Sequence, residues 1–387
     1  MIIERKIGNV NIDVDISKAN ELYFESDFAS TITENGISGI LNAIFEKNNA
    51  KMMPLSAFIE LTSNCNFKCP FCYINEKKVN HHCIPRFENL KNDLDYLIDN
   101  GLLYCTLSGG ECLLHPDFEK IYRYLKNRGV LVSVFTNGYL INRNIVNLFS
   151  ELNPFRVEVS IYGIDNETYQ KTVNITPVNS DQIFNSILTL KQMGIMIVCK
   201  TPITRLTEDS YPQIEKWCQD NDIQFYSGIE MIETYSGAST EQYRASGPIC
   251  EEFTQKSNEQ FFNDPEMLAI MKTTPKRKLS FDCSGGKYDV FISSNYMMMP
   301  CMSAYKVPEW NFDIHLLGIQ KAYRMMTDKI AVHKSEPLRY CHGCEYNMIC
   351  QECFMTQYEY KDEMKHRMDY CVQLKKYMTH KTKRIKR

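Results

Sequence analysis

The sequence predicts an α/β protein with a mostly parallel sheet, because short apolar segments alternate with amphipathic helical segments between residues 56 and 229. Strand character appears six times, at 58–62, 102–107, 130–135, 155–161, 195–198 and 223–226. Helical spacing of apolar residues appears between them, at 87–98, 118–125, 141–149, 183–193 and 211–219. Strands separated by helices pair in parallel through right-handed crossovers. Six such units rather than eight predict a partial (β/α)6 barrel, an open relative of the TIM barrel, with its site at the carboxyl ends of the strands.

The regions outside the predicted barrel have a different character. Residues 1–55 are predicted to be a short preface, with a half-buried strand from Val10 to Ile16 and a helical stretch over 37–47. Residues 230–280 lose the alternation and are interpreted as a linker or insert. Residues 281–375 are rich in cysteine and are predicted to form a second domain, followed by a basic tail over 376–387.

The composition excludes several classes of protein. Lys and Arg number 44 against 47 Asp and Glu, so the chain lacks the basic excess of a nucleic-acid-binding protein. No apolar run approaches the roughly 18 residues of a membrane span, and charges interrupt the N-terminal apolar stretch, which argues against a signal peptide. Sixteen cysteines in a chain without an export signal indicate metal, cluster or redox chemistry in a reducing cytoplasm.

The first cysteine group directly follows the first predicted strand. It consists of Cys65, Cys69 and Cys72 in the segment CNFKCPFC. The pair Cys69-Pro-Phe-Cys72 alone is typical of a thioredoxin-type redox site, but that interpretation gives Cys65 no role. Alternatively, three thiolates on one loop hold three irons of a 4Fe-4S cluster and leave the fourth iron open for another ligand. An open iron indicates a catalytic cluster rather than an electron carrier.

This spacing after the first strand of a partial barrel resembles the radical S-adenosylmethionine (radical SAM) superfamily. The resemblance implies that SAM chelates the open iron and is split into methionine and a 5′-deoxyadenosyl radical, which takes a hydrogen atom from substrate. It also implies that Phe71, the aromatic residue before the third cysteine, lies near the adenine.

Other positions match the same family. Ser108-Gly109-Gly110-Glu111 ends the second strand and resembles the family motif that takes the methionine amino group. Glycine also allows a backbone to approach a ligand closely. Thr136 and Asn137 end the third strand, where an Asn-Gly turn is the simpler interpretation. Ser160 ends the fourth strand, and its counterparts meet the ribose or the methionine carboxylate. Lys200 or Arg205 could face that carboxylate, or could be solvated surface charges. Cys112, beside Glu111, is a candidate for hydrogen-atom or proton transfer, although a buried packing role is the alternative.

The second cysteine group lies near the C-terminus. Cys341, Cys344, Cys350 and Cys353 have the spacing of a structural zinc site, which would leave Cys283, Cys301 and Cys371 unexplained. Together the seven resemble the SPASM domain, which follows radical SAM barrels and carries two auxiliary Fe-S clusters. By analogy, Cys283, Cys301 and Cys353 hold the first cluster, and Cys341, Cys344, Cys350 and Cys371 hold the second. The first cluster is then one protein thiolate short. Tyr296, where the family has Gly, and the short last spacing depart from the usual pattern.

The resemblance favours a peptide maturase. The stretches 198–204 and 235–246 are similar to members that crosslink, epimerise or form thioethers in ribosomally made peptides. Expected partners are a precursor peptide, an electron donor such as flavodoxin or ferredoxin, and a separate leader-recognition protein, because 55 residues are too few for a full recognition domain. Neither nucleic acid nor membrane is expected as a partner. The alternatives are maturation of a folded protein such as a sulfatase, modification of a small molecule, and a cluster- or zinc-stabilised protein that is not an enzyme.

Overall fold

The computed structural model describes residues 1–16, 22–24, 36–74, 83–229, 231–263, 283–333 and 355. The chain divides into two compact units. The first contains residues 1–246 and 284–329, and the second contains 247–283 and 330–387. The predicted domain boundaries remain predictions. Residues 284–329, which were predicted to belong to the cysteine-rich domain, lie in the same unit as the predicted barrel.

The N-terminal residues form a small antiparallel sheet. Its strands are β1 (Ile2–Ile7), β2 (Val10–Asp15) and β3 (Leu22–Phe24), in that order. Helix α1 (Gly36–Lys47) follows at the position where helical spacing predicts it. Arg5 of β1 donates hydrogen bonds to the carbonyl oxygens of Leu102, Gly129 and Ile98 at 2.5, 3.3 and 3.0 Å, so the small sheet is bonded to the turns of the larger one.

A larger sheet contains all six predicted parallel strands. They are β4 (Ser56–Thr62), β5 (Tyr104–Gly109), β6 (Leu131–Thr136), β7 (Arg156–Ser160), β8 (Ile197–Pro202) and β9 (Gln224–Gly228). Each pairs in parallel with the next in chain order. The predicted α/β class with a mostly parallel sheet is therefore confirmed, while closure into a partial barrel remains a prediction.

Three further strands extend the sheet beyond β4. β10 (Asp289–Ile292) pairs in parallel with β4, and β11 (Met297–Met299) and β12 (Phe312–Asp313) follow as antiparallel neighbours. The sequence analysis placed these residues in the cysteine-rich domain and did not anticipate this pairing. Each strand is only two to four residues long, which leaves too few positions for an alternation signal.

The helices lie between the parallel strands and after them. Their bounds are α2 Phe87–Asp99, α3 Phe118–Asn127, α4 Arg143–Glu151, α5 Asn166–Val173, α6 Ser180–Gln192, α7 Tyr211–Asp220, α8 Gly247–Asn263, α9 Ile314–Leu317 and α10 Ile319–Val332. The sequence analysis missed α5. Its start carries a capping box in which Asp165 accepts from the Thr168 amide, a signal that the sequence does contain. Across the ranges given above, no helix combines the length and apolarity needed to cross a membrane.

The two faces of the parallel sheet differ in chemistry. Side chains alternate along a strand, so Val157 and Val159 point to one face of β7 while Arg156, Glu158 and Ser160 point to the other. On the second face of β7, Glu158 is buried while Arg156 and Ser160 are half-buried. Glu60 of β4 lies on the same face with no solvent exposure.

Glu60 joins three separate segments. Its carboxylate accepts hydrogen bonds from the Tyr73 and Tyr235 hydroxyls at 3.4 and 2.7 Å, and from the Ser294 amide at 3.3 Å. Burial raises the pKa of Glu60 from 4.5 to about 7, against the opposing effect of these donors. Tyr235 also stacks on Tyr305, with ring centroids 3.4 Å apart. The Glu60 carboxyl group therefore links β4, the first strand of the parallel series, to the segments that contain Tyr73, Tyr235 and Ser294.

Glu60→Gln should change how stability depends on pH. Between pH 4.5 and 7 the folded protein binds a proton at Glu60 that the unfolded chain has released, so the free energy of unfolding falls as pH rises through this window. The loss approaches about 3 kcal/mol above pH 7. Gln does not titrate, so Glu60→Gln should have a higher melting temperature than the wild type at pH 8 but not at pH 5.

The matched control is Glu88→Gln, which removes a carboxylate whose side chain is 75% exposed. Its melting temperature should follow that of the wild type at both pH values. A parallel pH dependence for Glu60→Gln and the wild type would contradict the assignment.

Candidate active site

The three cysteines lie on a loop that leaves the carboxyl end of β4. Cys69 is buried, and Cys65 and Cys72 are half-buried. The Lys68 amide donates to the Val173 carbonyl at the end of α5 at 2.9 Å, and the Cys72 amide donates to the Cys69 carbonyl at 3.2 Å. The helix that the sequence analysis missed therefore helps to hold the cysteine loop.

The Gly-Gly segment after β5 packs directly on the base of this loop. The Gly110 amide donates to the Thr62 carbonyl at 2.7 Å, and the Glu111 amide donates to the Asn64 carbonyl at 2.8 Å. A Cβ at Gly109 would lie 2.3 Å from the Thr62 carbonyl oxygen, and one at Gly110 would lie 2.4 Å from that of Asn64. The glycines are thus required by backbone contact with the cysteine loop, whereas the sequence analysis explained them by close approach to a ligand.

Glu111 is buried and bonded to the turn after β6. Its carboxylate accepts from the Asn137 amide at 2.8 Å, from the Thr136 hydroxyl at 2.9 and 3.0 Å, and from the Leu113 amide at 3.2 Å. Burial raises the pKa of this carboxyl group. The structure therefore brings the predicted residues Glu111, Thr136 and Asn137 together in one network.

A cavity of about 410 Å³ opens beside the loop, at the carboxyl ends of β7, β8 and β9. Its lining comprises Cys69, Phe71, Cys72, Tyr73, Ser160, Tyr162, Lys200, Thr201, Pro202, Tyr226, Ser227, Gly228, Met231 and Ile232. Phe71, Ser160 and Lys200 were predicted as cofactor-binding residues, and they lie on this wall with two of the cysteines. Ser108 to Glu111, Thr136 and Asn137 are not among the lining residues. Ser108 is buried opposite Glu60 in the sheet register.

Lys200 has a charge partner inside the sheet. Its ammonium forms an ion pair with Glu158 and lies 4.3 Å from the centre of the Phe135 ring. Arg156 pairs with the same carboxylate at 2.6 Å. The side chain of Lys200 remains 39% exposed and lines the cavity, so it presents a compensated positive charge there. Arg205, the alternative, instead donates to the Arg244 carbonyl at 3.1 Å.

Several cavity residues were not predicted. Tyr162 lies two residues after Ser160, and its hydroxyl is in hydrogen-bonding contact with Ser160 and Cys69. Its ring centroid is 6.0 Å from that of Phe71. The alternation of Glu158, Ser160 and Tyr162 could have identified it. Tyr226 pairs with Lys200 in the register of β8 and β9, which the sequence alone does not define.

The donor chemistry of the loop fits an iron-sulfur cluster. Burial raises the pKa of the Cys65 thiol to about 12 and that of Cys69 well above its usual range, and Cys72 raises both further. Three adjacent thiols at such a site deprotonate when metal cations bind them. Among the residues that the structure describes, no three His, Cys, Asp or Glu side chains converge on one metal ion. A four-iron cluster does not need such convergence, because each thiolate binds a different iron.

The remaining predicted residues fall elsewhere. Cys112 is fully buried, donates to the Phe135 carbonyl at 3.2 Å and is not among the residues that line the cavity, so its role in hydrogen-atom or proton transfer stays a prediction. Cys283 is exposed, and Cys301 is half-buried before the turn Met302–Ala304. The other predicted auxiliary ligands lie outside the described residues, namely Cys341, Cys344, Cys350, Cys353 and Cys371.

Comparison with known proteins identifies relatives. AlbA of Bacillus subtilis, a subtilosin biosynthesis protein, is 32% identical over 123 residues, which cover 32% of this chain and 27% of AlbA. SkfB of the same organism, a sporulation killing factor maturation protein, is 25% identical over 59% of this chain and 55% of its own length. The chain therefore spans less than two thirds of these relatives. The AdoMet-dependent heme synthase of Methanosarcina barkeri is 22% identical over 81% of this chain and 95% of its own.

Solved structures and a family model agree with this fold. SuiB of Streptococcus suis bound to S-adenosylmethionine superposes with a TM-score of 0.63 at 15% identity, covering 93% of this chain and 96% of that one. SuiB bound to its precursor peptide SuiA gives a TM-score of 0.62. Residues 59–219, which include the cysteine loop and strands β5 to β8, match the sequence model of the radical SAM superfamily. The similarity to the radical SAM superfamily therefore covers residues 59–219 of the chain.

Proposed function

We propose that this chain is a radical SAM enzyme that modifies a ribosomally synthesised peptide. The observation that carries the proposal is the placement of the three-cysteine loop, which lies on the wall of a cavity at the carboxyl ends of the parallel strands. When bound to Cys65, Cys69 and Cys72, a 4Fe-4S cluster supplies the electron that splits SAM and yields the 5′-deoxyadenosyl radical.

Different side chains of the cavity wall would contact different parts of SAM. Phe71 and Tyr162 offer aromatic surface for the adenine, and Ser160 offers a hydroxyl for the ribose or carboxylate. Lys200 offers a cation to an anionic group of SAM. Its ion pair with Glu158 means that no buried charge is left unpaired when the cavity is empty. Glu111 already accepts hydrogen bonds from three donors, the Leu113 and Asn137 amides and the Thr136 hydroxyl, so we assign it to holding the turn after β6 rather than to the methionine amino group.

Support for a peptide substrate comes from the relatives and from the cavity. AlbA and SkfB are named for peptide biosynthesis and maturation, and a structure of SuiB contains its precursor peptide. The cavity is also lined by Tyr226, Pro202 and Ile232, and Tyr226 and Ile232 are 51% and 36% exposed. An open rim with apolar side chains suits a peptide better than a compact polar metabolite.

The proposal extends to other cofactors and partners. Cys283, Cys301, Cys341, Cys344, Cys350, Cys353 and Cys371 are assigned to two auxiliary clusters in a SPASM domain. A flavodoxin or ferredoxin would deliver electrons in the cytoplasm, and a separate protein would recognise the leader segment. Sulfatase-type maturation would require a general-base carboxylate, and among the described residues that line the cavity none is Asp or Glu.

Small-molecule modification is the second candidate, because the heme synthase aligns over nearly its whole length. The test is to incubate the reduced protein and SAM with short cysteine-containing peptides encoded beside its gene, and separately with a porphyrin. Peptide maturation predicts a mass change in one peptide together with formation of 5′-deoxyadenosine. A mass change in the porphyrin alone would overturn the peptide proposal and retain the radical chemistry.

Cys65→Ala should abolish formation of 5′-deoxyadenosine in an anaerobic assay with dithionite and SAM, or with the identified substrate if cleavage requires it. Removing one of three thiolates leaves the cluster without sufficient ligands, so the protein should also lose about four irons on the 4Fe-4S model. The matched control is Cys83→Ala, which removes an exposed cysteine outside the loop. Retained activity in Cys65→Ala, or equal loss in Cys83→Ala, would contradict the assignment.

Gly110→Ala should lower cluster content and SAM cleavage, because the new methyl group would meet the Asn64 carbonyl oxygen at 2.4 Å and displace the cysteine loop. Gly247→Ala is the control, since nothing lies within 4 Å of its added Cβ. Iron and sulfide analysis after anaerobic reconstitution measures the effect. Wild-type cluster content and SAM cleavage in Gly110→Ala would show that the close backbone contact is dispensable.

A further inference from the structure

Two hydrogen-bond donors of the protein reach the Cys65 sulfur. The amide of Phe67 donates to the Cys65 sulfur at 3.4 Å, and the side-chain nitrogen Nδ2 of Asn137 donates to it at 3.7 Å. The first bond comes from the loop itself. The second comes from a different strand, 72 residues further along the chain.

The orientation of the Asn137 amide is fixed by its other contacts. Its oxygen Oδ1 accepts from the Tyr139 backbone amide at 3.0 Å, which is a local turn of the kind that Asn favours. Nδ2 must therefore face the cysteine loop, where one hydrogen goes to the Asn66 side-chain oxygen at 2.8 Å and the other is directed to the Cys65 sulfur. Exchanging the oxygen and nitrogen would set the Asn137 oxygen against the acceptors on Asn66 and Cys65, and the Asn137 NH2 group against the Tyr139 amide, which is itself a donor.

The backbone of Asn137 is fixed as well. Its amide donates to Glu111 at 2.8 Å, and Glu111 is itself held by the Thr136 hydroxyl and by its contact with the loop base. Asn137 is 6% exposed. A donor that is buried, oriented and supported in this way remains on the sulfur when the charge on that sulfur changes.

Hydrogen bonds to ligand sulfurs are among the factors that set the reduction potential of an iron-sulfur cluster. Reduction adds negative charge, part of which resides on the ligand sulfurs. A donor stabilises the more negative state more strongly, because hydrogen bonds to charged acceptors are stronger than those to neutral ones. A donor at Cys65 therefore favours the reduced cluster.

We propose that Asn137 is a positioning residue that raises the reduction potential of the cluster through its hydrogen bond to Cys65. The proposal rests on the proposed function, because it requires the cysteine loop to hold a cluster. It gives the residues at the end of β6 a role that is separate from contact with SAM. It also explains why an asparagine, and not simply any turn residue, stands before Gly138.

The test is a redox titration of the reconstituted protein without SAM, followed by electron paramagnetic resonance (EPR) of the signal that changes when SAM is added. Asn137→Leu keeps the branching and the number of side-chain heavy atoms but removes both the donor and the acceptor. Asn137→Asp keeps the acceptor for the Tyr139 amide but replaces the donor by an anion. Both should shift reduction to lower potential, roughly tenfold in the equilibrium for Asn137→Leu, which corresponds to about 59 mV for one electron, and further for Asn137→Asp.

Ser133→Ala is the matched control. Ser133 lies on β6 and accepts a buried hydrogen bond of 2.8 Å from the Tyr104 hydroxyl of β5, so its removal should leave the potential unchanged. If the Asn137 variants act only by disrupting β6, the reduction potential of Ser133→Ala should shift as much as theirs does. That result would overturn the proposal. Unchanged potentials in both Asn137 variants would also overturn it, without affecting the proposed function. Absence of any SAM-sensitive signal in the wild type would instead overturn the proposed function.

Discussion

The site depends on one contact between two backbones. Gly109 and Gly110 lie against Thr62, Ser63 and Asn64 at a distance that leaves no room for a Cβ. Two amide-to-carbonyl hydrogen bonds at 2.7 and 2.8 Å secure it. Because this contact joins the end of β5 to the first residues of the cysteine loop, it sets where the three thiols can lie. The loop is long and irregular, and without such a contact its conformational entropy would oppose a defined cluster site.

A chain of polar contacts extends from that point across the sheet. Glu111 links the glycine segment to Thr136 and Asn137, and Asn137 in turn reaches Cys65. Each group is buried, so each would cost free energy if it lost its partner. On the other side of the loop, Tyr73 bonds to Glu60, whose other donors come from Tyr235 and Ser294. The cysteine loop is therefore attached to both neighbouring parts of the sheet, while its cavity side stays open.

The sequence predicted the parts of this arrangement that have local signals. The strand and helix alternation predicted the parallel sheet, and cysteine spacing with a Gly-Gly-Glu motif predicted which loops meet. The sequence did not predict which contacts hold these loops together. Gly109 and Gly110 contact the backbone carbonyl oxygens of Thr62 and Asn64, and the Glu111 carboxylate accepts from Thr136 and Asn137. These facts depend on the register between β4, β5 and β6, which no local pattern encodes. Glu60 and Tyr226 were missed for the same reason, since their partners lie in distant segments of the chain. Tyr162 could have been identified from its alternation with Glu158 and Ser160.

The most direct test of the account is EPR of the reduced, reconstituted wild-type protein with and without SAM, using SAM labelled with ¹⁵N at its amino group. The central claim is that Cys65, Cys69 and Cys72 hold three irons and leave one open to SAM. It predicts that SAM changes the cluster spectrum and that the labelled nitrogen shows hyperfine coupling to the cluster. A cluster spectrum that is the same with and without SAM would contradict the account.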